Sequence, residues 1–266
     1  MIKMLVLLLS LIVNGVCFAT HQSKISVILP FADNDHPPHY LVNARGQITG
    51  GIEADVLKAV FAPREVEFSY IQLKRAALLL QQQEDYTCIS PAPEELRGKA
   101  GYYESREILS TYHNRVMVLA SSQFSLSSLA GLQDKRLLAF LGASKYLGED
   151  YAELVKNNSR QYREFTHLSI AIPMLFLKRV DALIMDKNVF LYHAGRQNYD
   201  VRSGEHKVLF YDFFPPSHFT LMCKEQALIT VFDQGMKKLR SSGELDKIIS
   251  KNLSAGSRGF APARLQ

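Results

Sequence analysis

Short apolar runs alternate with amphipathic stretches along most of the chain. Residues 24–29 (KISVIL) form a largely apolar run closed by Pro30, the pattern of a buried strand. From Gly51 onward, Ile52, Val56, Ala59 and Val60 recur at the spacing of one helix face. Strand, helix and strand patterns follow at 66–71, 74–82 and 85–89. The rhythm resumes with an extended run at 114–120, a short helical piece at 126–132 and a strand at 136–141. Gly142-Ala143-Ser144 then opens a helix reaching Val155, with Ser144 as its expected N-cap. A strand near Phe165, a helix over 169–178, a strand over 181–185 and a helix over 188–194 come next. Extended runs at 207–211 and 218–223 flank Pro215-Pro216, and helices at 228–240 and 244–251 close the pattern around Gly243.

This order predicts an α/β protein whose mixed, mostly parallel sheets are flanked by helices. Two blocks emerge, and the runs at 114–120 and 218–223 are the expected crossings between them. The predicted organisation is a first lobe from 20–113 and 218–253, a second from 114–217, and a polar, disordered tail at 254–266. The segment from 31 to 49 is rich in Asp, Asn, His, Pro and Gly and reads as a loop with a hairpin near Arg45-Gly46.

Residues 1–19 (MIKMLVLLLSLIVNGVCFA) place Lys3 before an apolar core and small residues after it, the layout of a cleavable export signal cut after Ala19. Its loss lowers the formal charge of +5 by one. The basic residues are scattered, which gives no nucleic-acid footprint. Cys88 and Cys223 lie in apolar runs, where a disulfide and two buried thiols are both open readings.

Candidate chemistry gathers where strands end. Ser90, Arg97, Ala143, Ser144 and Asp186 all follow predicted strands, and α/β ligand sites lie at the carboxyl ends of strands facing a crevice. Arg97 follows Pro91 and Pro93, where the backbone must turn. Its guanidinium has two readings: a fork onto a ligand carboxylate, or a surface pair with Glu94 on a one-turn helix. His36 and His39 flank Pro37-Pro38, which rules out the helix a His-x-x-His metal site needs, so no metal is expected. No Ser–His–Asp or Cys–His spacing suggests a hydrolase, and no cofactor motif is present.

Several segments, in order, resemble the family 3 periplasmic solute-binding proteins for polar amino acids. These are Pro37-Pro38-His39-Tyr40, Gly51 to Asp55, Glu84 to Cys88, Pro93 to Arg97, Gly142-Ala143-Ser144, Lys178 to Ala182 with Asp186, and Leu228 to Gly243. The resemblance implies a two-lobed fold of the second periplasmic-binding type, hinging on two crossover strands and working as a monomer. It further implies a non-enzymatic, periplasmic role: capture of a small polar, amino-acid-like ligand for an inner-membrane ABC permease. Carried across by position, Arg97 would clamp a ligand carboxylate, and Ser144 with Ala143 and Ser90 would add donors. Asp186 would hold an ammonium, and His36 would stack on the ligand. Ala92, Pro91 and Pro93 depart from the family pattern by removing a hydroxyl and backbone donors beside Arg97. Two other readings use the same fold: an orphan sensory or accessory module, and a periplasmic dehydratase with Glu94, Glu95 or Glu104 as general acid.

Overall fold

The computed structural model describes residues 24–31, 36–165 and 167–256; the expected export segment lies outside them, as does the expected tail beyond residue 256. In chain order the first block holds β1 (Ile25–Phe31), β2 (Leu41–Val42), β3 (Ile48–Gly50), α1 (Ile52–Phe61), β4 (Val66–Gln72), α2 (Leu73–Gln82), β5 (Cys88–Ile89) and β6 (Tyr103–Tyr112). The second holds β7 (Asn114–Leu119), β8 (Leu137–Phe140), α3 (Ala143–Tyr146), α4 (Glu149–Asn157), β9 (Tyr162–Phe165), α5 (Leu168–Phe176), β10 (Ala182–Asp186), α6 (Lys187–Arg196) and β11 (Val208–Tyr211). β12 (Ser217–Cys223), α7 (Gln226–Ser241) and α8 (Glu244–Gly256) complete the chain.

The strands form two main sheets, ordered β4-β1-β5-β12-β6 and β11-β7-β10-β8-β9. Each contains a parallel triple, β4-β1-β5 or β10-β8-β9, extended through two antiparallel pairings. Among the described strands of each sheet only β12 or β7 runs against the others, so the sheets are mixed and mostly parallel, as expected. The reason is the connectivity: β6 runs straight on through His113 into β7 of the other sheet, and the chain returns from β11 to β12. The crossings thus fall at the junctions around His113 and between Tyr211 and Ser217. The runs expected to cross, β7 and β12, are instead paired members of one sheet each.

Helices cover both faces of each sheet. α1, α7 and α8 bury Val56, Leu57, Phe232 and Ile248 with Val27 and Leu29 of β1, while α2 packs Ala76 and Leu80 against Ile28 and Ile89 on the opposite face. In the second sheet α5 and α6 bury Ile172, Leu175 and Phe190 on one side, and α4 buries Tyr151 and Leu154 on the other. Among the described residues no helix is long and apolar enough to cross a membrane.

Cys88 of β5 and Cys223 of β12 face each other in register and form a disulfide. The open question about these thiols is thereby answered by sheet pairing. β6, ten residues long, escapes hydrophobic pattern reading because Glu104, Ser105, Arg106 and Glu107 interrupt it. Its ladder with β12 is irregular there, and Asp233 of α7 accepts the N–H groups of Arg106 and Glu107. The helix expected to run from Gly142 to Val155 is broken: α3 ends at Tyr146, and α4 starts after Gly148. Gly142, in the left-handed region at φ 86°, is the N-cap of α3, and Ser144 sits inside its first turn.

Candidate functional site

A cavity of about 320 Å³ lies where the carboxyl ends of strands from both sheets meet. Pro30, Ser90 and Tyr112 reach it from the first sheet, and Asn114, Phe140 and Asp186 from the second. Tyr40, Tyr146 and Phe219 add aromatic rings, and Glu53 enters from the first turn of α1.

Two carboxyl groups on the cavity wall, Glu53 and Asp186, are joined behind it by the buried His39. His39, Glu53 and Asp186 are 2%, 3% and 4% exposed. His39 Nε2 lies 3.4 Å from Asp186 Oδ1, and His39 Nδ1 lies 3.9 Å from Glu53 Oε1. The His39 ring stacks on Tyr112, with centroids 3.8 Å apart. Glu53 Oε1 accepts hydrogen bonds from Ser110 Oγ (2.8 Å) and the Tyr112 hydroxyl (3.2 Å).

Asp186 ends β10 and caps α6. Its Oδ1 accepts the N–H groups of Asn188 and Val189, both at 2.9 Å, and its Oδ2 accepts the His113 N–H at 2.7 Å. Burial by itself pushes this carboxyl up, but the hydrogen bond and charge of His39 and the Val189 and His113 N–H groups outweigh it. Asp186 is held below the usual carboxylate range. Glu53 goes the other way: burial pushes it up more strongly than His39, Ser110 and Tyr112 pull it down. Burial beside Glu53 also raises the Tyr112 phenol.

Local backbone chemistry places these groups. Gly51, at φ 110°, passes so close to the preceding loop that a Cβ there would lie 2.4 Å from the Tyr40 Cα and 2.5 Å from the His39 carbonyl oxygen. The Ile52 and Glu53 N–H groups then bond back to the carbonyls of Pro38 and His39. That turn fixes His39 and Glu53 side by side.

Of the residues singled out by sequence, Ser90, His36 and Asp186 line this cavity. The Ser90 hydroxyl is fully buried and has no hydrogen-bond partner among the described residues. His36 lies against Tyr40, with ring centroids 5.5 Å apart. Arg97 lines a second cavity, about 430 Å³, which shares Pro30, Pro91, Tyr146 and Phe219 with the first. Its Nε donates to Glu104 Oε2 at 3.0 Å, and its Nη1 pairs with Glu94. Of the two readings of Arg97, the local pair with Glu94 on a one-turn helix at 94–96 is the arrangement found. Ser144 and Ala143 line neither cavity. Ala143 is buried in the core beneath α3. The Ser144 N–H and hydroxyl and the Gly142 N–H all donate to Glu164, at 2.7–3.0 Å. Burial alone would raise the Glu164 carboxyl; those donors and the Tyr162 hydroxyl instead hold it below the usual range. No group of three His, Cys, Asp or Glu side chains among the described residues is placed to hold a metal ion.

Sequence reasoning missed His39, Glu53, Tyr112 and Asn114. His39 enters as half of a metal pair and within the Pro37–Tyr40 stretch with no role of its own, Glu53 reads as a helix-start charge, and Tyr112 belongs to the unrecognised β6.

No family model matches the chain, and no curated protein matches it. Solved structures do. An ancestral cationic amino acid solute-binding protein superposes with a TM-score of 0.64 at 18% identity, over 86% of this chain and 95% of its own. The amino acid ABC transporter substrate-binding protein AbpA from Streptococcus pneumoniae, bound to L-arginine, gives 0.61 at 20% identity, over 88% and 95%. A histidine kinase sensor domain with similarity to periplasmic binding proteins gives 0.61 at 14% identity, over 86% and 96%. The fold is periplasmic-binding-protein-like. At these identities the likeness is one of architecture, and the cavity occupies the crevice between the two sheets that this architecture provides.

Proposed function

We propose that this chain is an exported solute-binding protein that encloses one small organic solute between its two lobes. The observation that carries the reading is the Ser90 hydroxyl: fully buried, on the cavity wall, and without a partner among the described residues. A buried hydroxyl left unsatisfied is costly, and a solute atom bonded to it removes that cost. A cavity near 300 Å³ with mostly apolar walls and a few convergent polar groups has the dimensions of a small-molecule site. The Cys88–Cys223 disulfide supports an oxidising, extracytoplasmic location, the periplasm in this reading.

In this reading 20–113 with 218–253 forms one lobe, 114–217 the other, and the solute's amino group faces Glu53 and Asp186. The arginine and cationic amino acids named for two of the structural neighbours support an amine-bearing solute. The monomeric, loaded form would dock on an inner-membrane ABC permease. A sensory module is the second reading, favoured by the likeness to a kinase sensor domain. Finding genes for a permease and ATPase beside this one would favour transport, and finding none would favour the sensory module.

The test is mass spectrometry of small molecules released from the natively purified protein. One solute near stoichiometric amounts is expected, and adding it back at about a hundred times its Kd should stabilise the fold by about 2.7 kcal/mol. Absence of any released solute, together with no thermal shift across a broad metabolite panel, would remove the proposal.

A further inference from the structure

The geometry points to a narrower ligand class: an organic amine without a free carboxylate. Its ammonium would be held by Glu53 and Asp186 and its body by the surrounding rings. This inference rests on the solute-binding reading above and specifies its chemistry.

The groups suited to bind a ligand carboxylate are already engaged by carboxylates of the protein itself. Gly142 N–H, Ser144 N–H and Ser144 Oγ form an anion-binding turn, and Glu164 fills it, backed by the Tyr162 hydroxyl. The Arg97 fork is taken by Glu104 through Nε and Nη2, and its Nη1 by Glu94. A ligand carboxylate would have to displace a protein carboxylate from either site.

The cavity itself presents the opposite chemistry. Among the described residues that line it there is no lysine or arginine, whereas two buried carboxyl groups, Glu53 and Asp186, are present. Both hydrogen bonds described on Glu53 fall on Oε1, so Oε2 remains to accept from a ligand. The unpartnered Ser90 hydroxyl adds a further polar contact. Tyr40, Tyr112, Phe140, Tyr146 and Phe219 supply apolar surface and ring faces that attract a cation. An acidic, ring-lined cavity with its anion sites already filled fits an amine and repels an acid.

Matched probes on the mature protein test this directly. Binding of tyramine, tyrosine and 3-(4-hydroxyphenyl)propionate would be measured by calorimetry, with agmatine, arginine and 4-guanidinobutyrate as a second set. At least one amine is expected to bind about tenfold or more tighter than its parent amino acid, and neither acid without the α-amino group to bind. Glu53→Gln is expected to weaken that amine by about tenfold; the wild-type comparison stands whether or not this variant folds. Tighter binding of tyrosine or arginine than of its amine, lost on Arg97→Ala, overturns the inference and leaves solute binding standing. So does release of a carboxylate-bearing solute from the native protein when neither amine binds. Failure of every probe with no released solute overturns both.

Discussion

His39 Nε2 and Asp186 Oδ1 are 3.4 Å apart in space and 147 residues apart in the chain. One lies in the turn before β2 in the first block, the other is the last residue of β10 in the second sheet. With Glu53 behind His39 and the His113 N–H on Asp186, this contact ties both blocks to the crossover from β6 to β7.

Removing the acid should therefore cost more than a surface ion pair does. Asp186→Ala leaves His39 and three backbone N–H groups without their acceptor, and a loss of about 3 kcal/mol or more is expected in denaturant unfolding. In a double-mutant cycle with His39→Phe, which keeps a ring against Tyr112, the coupling should exceed about 1 kcal/mol. Additive effects would show that the two residues act separately.

Stability should depend on pH through two groups of opposite sign. His193 on α6 is buried, which lowers its pKa from 6.5 to about 4, with the charge of His36 adding to the effect. The unfolded chain thus takes up this proton first. The contribution is present above pH 6.5 and is lost as pH falls towards 4, at up to about 1.4 kcal/mol per pH unit. Glu53 is raised above its ordinary 4.5, so its contribution is present below that value and is lost as pH rises through its folded pKa. His193→Phe should expose the Glu53 trend and Glu53→Gln the His193 trend in urea titrations from pH 4 to 7. Parallel curves for both variants and wild type would contradict these assignments.

Gly51→Ala should be among the most damaging single-methyl changes in the chain. The added Cβ meets backbone atoms of His39 and Tyr40 below 3 Å, at a φ that L residues rarely adopt. A loss of about 2 kcal/mol or more is expected, with weaker solute binding, because the same turn sets His39 beside Glu53. Gly46→Ala, where no atom lies within 4 Å of the added Cβ, isolates the cost of φ alone.

Reduction of Cys88–Cys223 opens a loop of 135 residues that contains the whole second sheet. Unfolding with and without reductant should differ by about 2–5 kcal/mol. An unchanged midpoint would mean that the ladder between β5 and β12 holds without the bond.

The alternating layers were legible because apolar runs such as 24–29 and the helix face at Ile52, Val56 and Val60 are local signals. They match β1 and α1. Asp186 was legible as a strand-end residue, and it ends β10 as read. β6 was not, because its buried positions include Ser105 and Ser110 and its irregular ladder breaks the period of two. His39 and Glu53 gave no local sign of burial. Both are ionisable, and only contacts from distant segments make their burial tolerable.

By itself, then, the sequence determined the alternation of strands and helices outside β6 and the position of Asp186 at a strand end. These follow from local sterics and periodicity. Tertiary structure alone decided which carboxylate meets which partner: Glu164 with Gly142 and Ser144, Glu104 with Arg97, and His39 with Asp186. Electrostatic partners are chosen by distance in space, and for the cavity wall that distance is set by how two sheets dock.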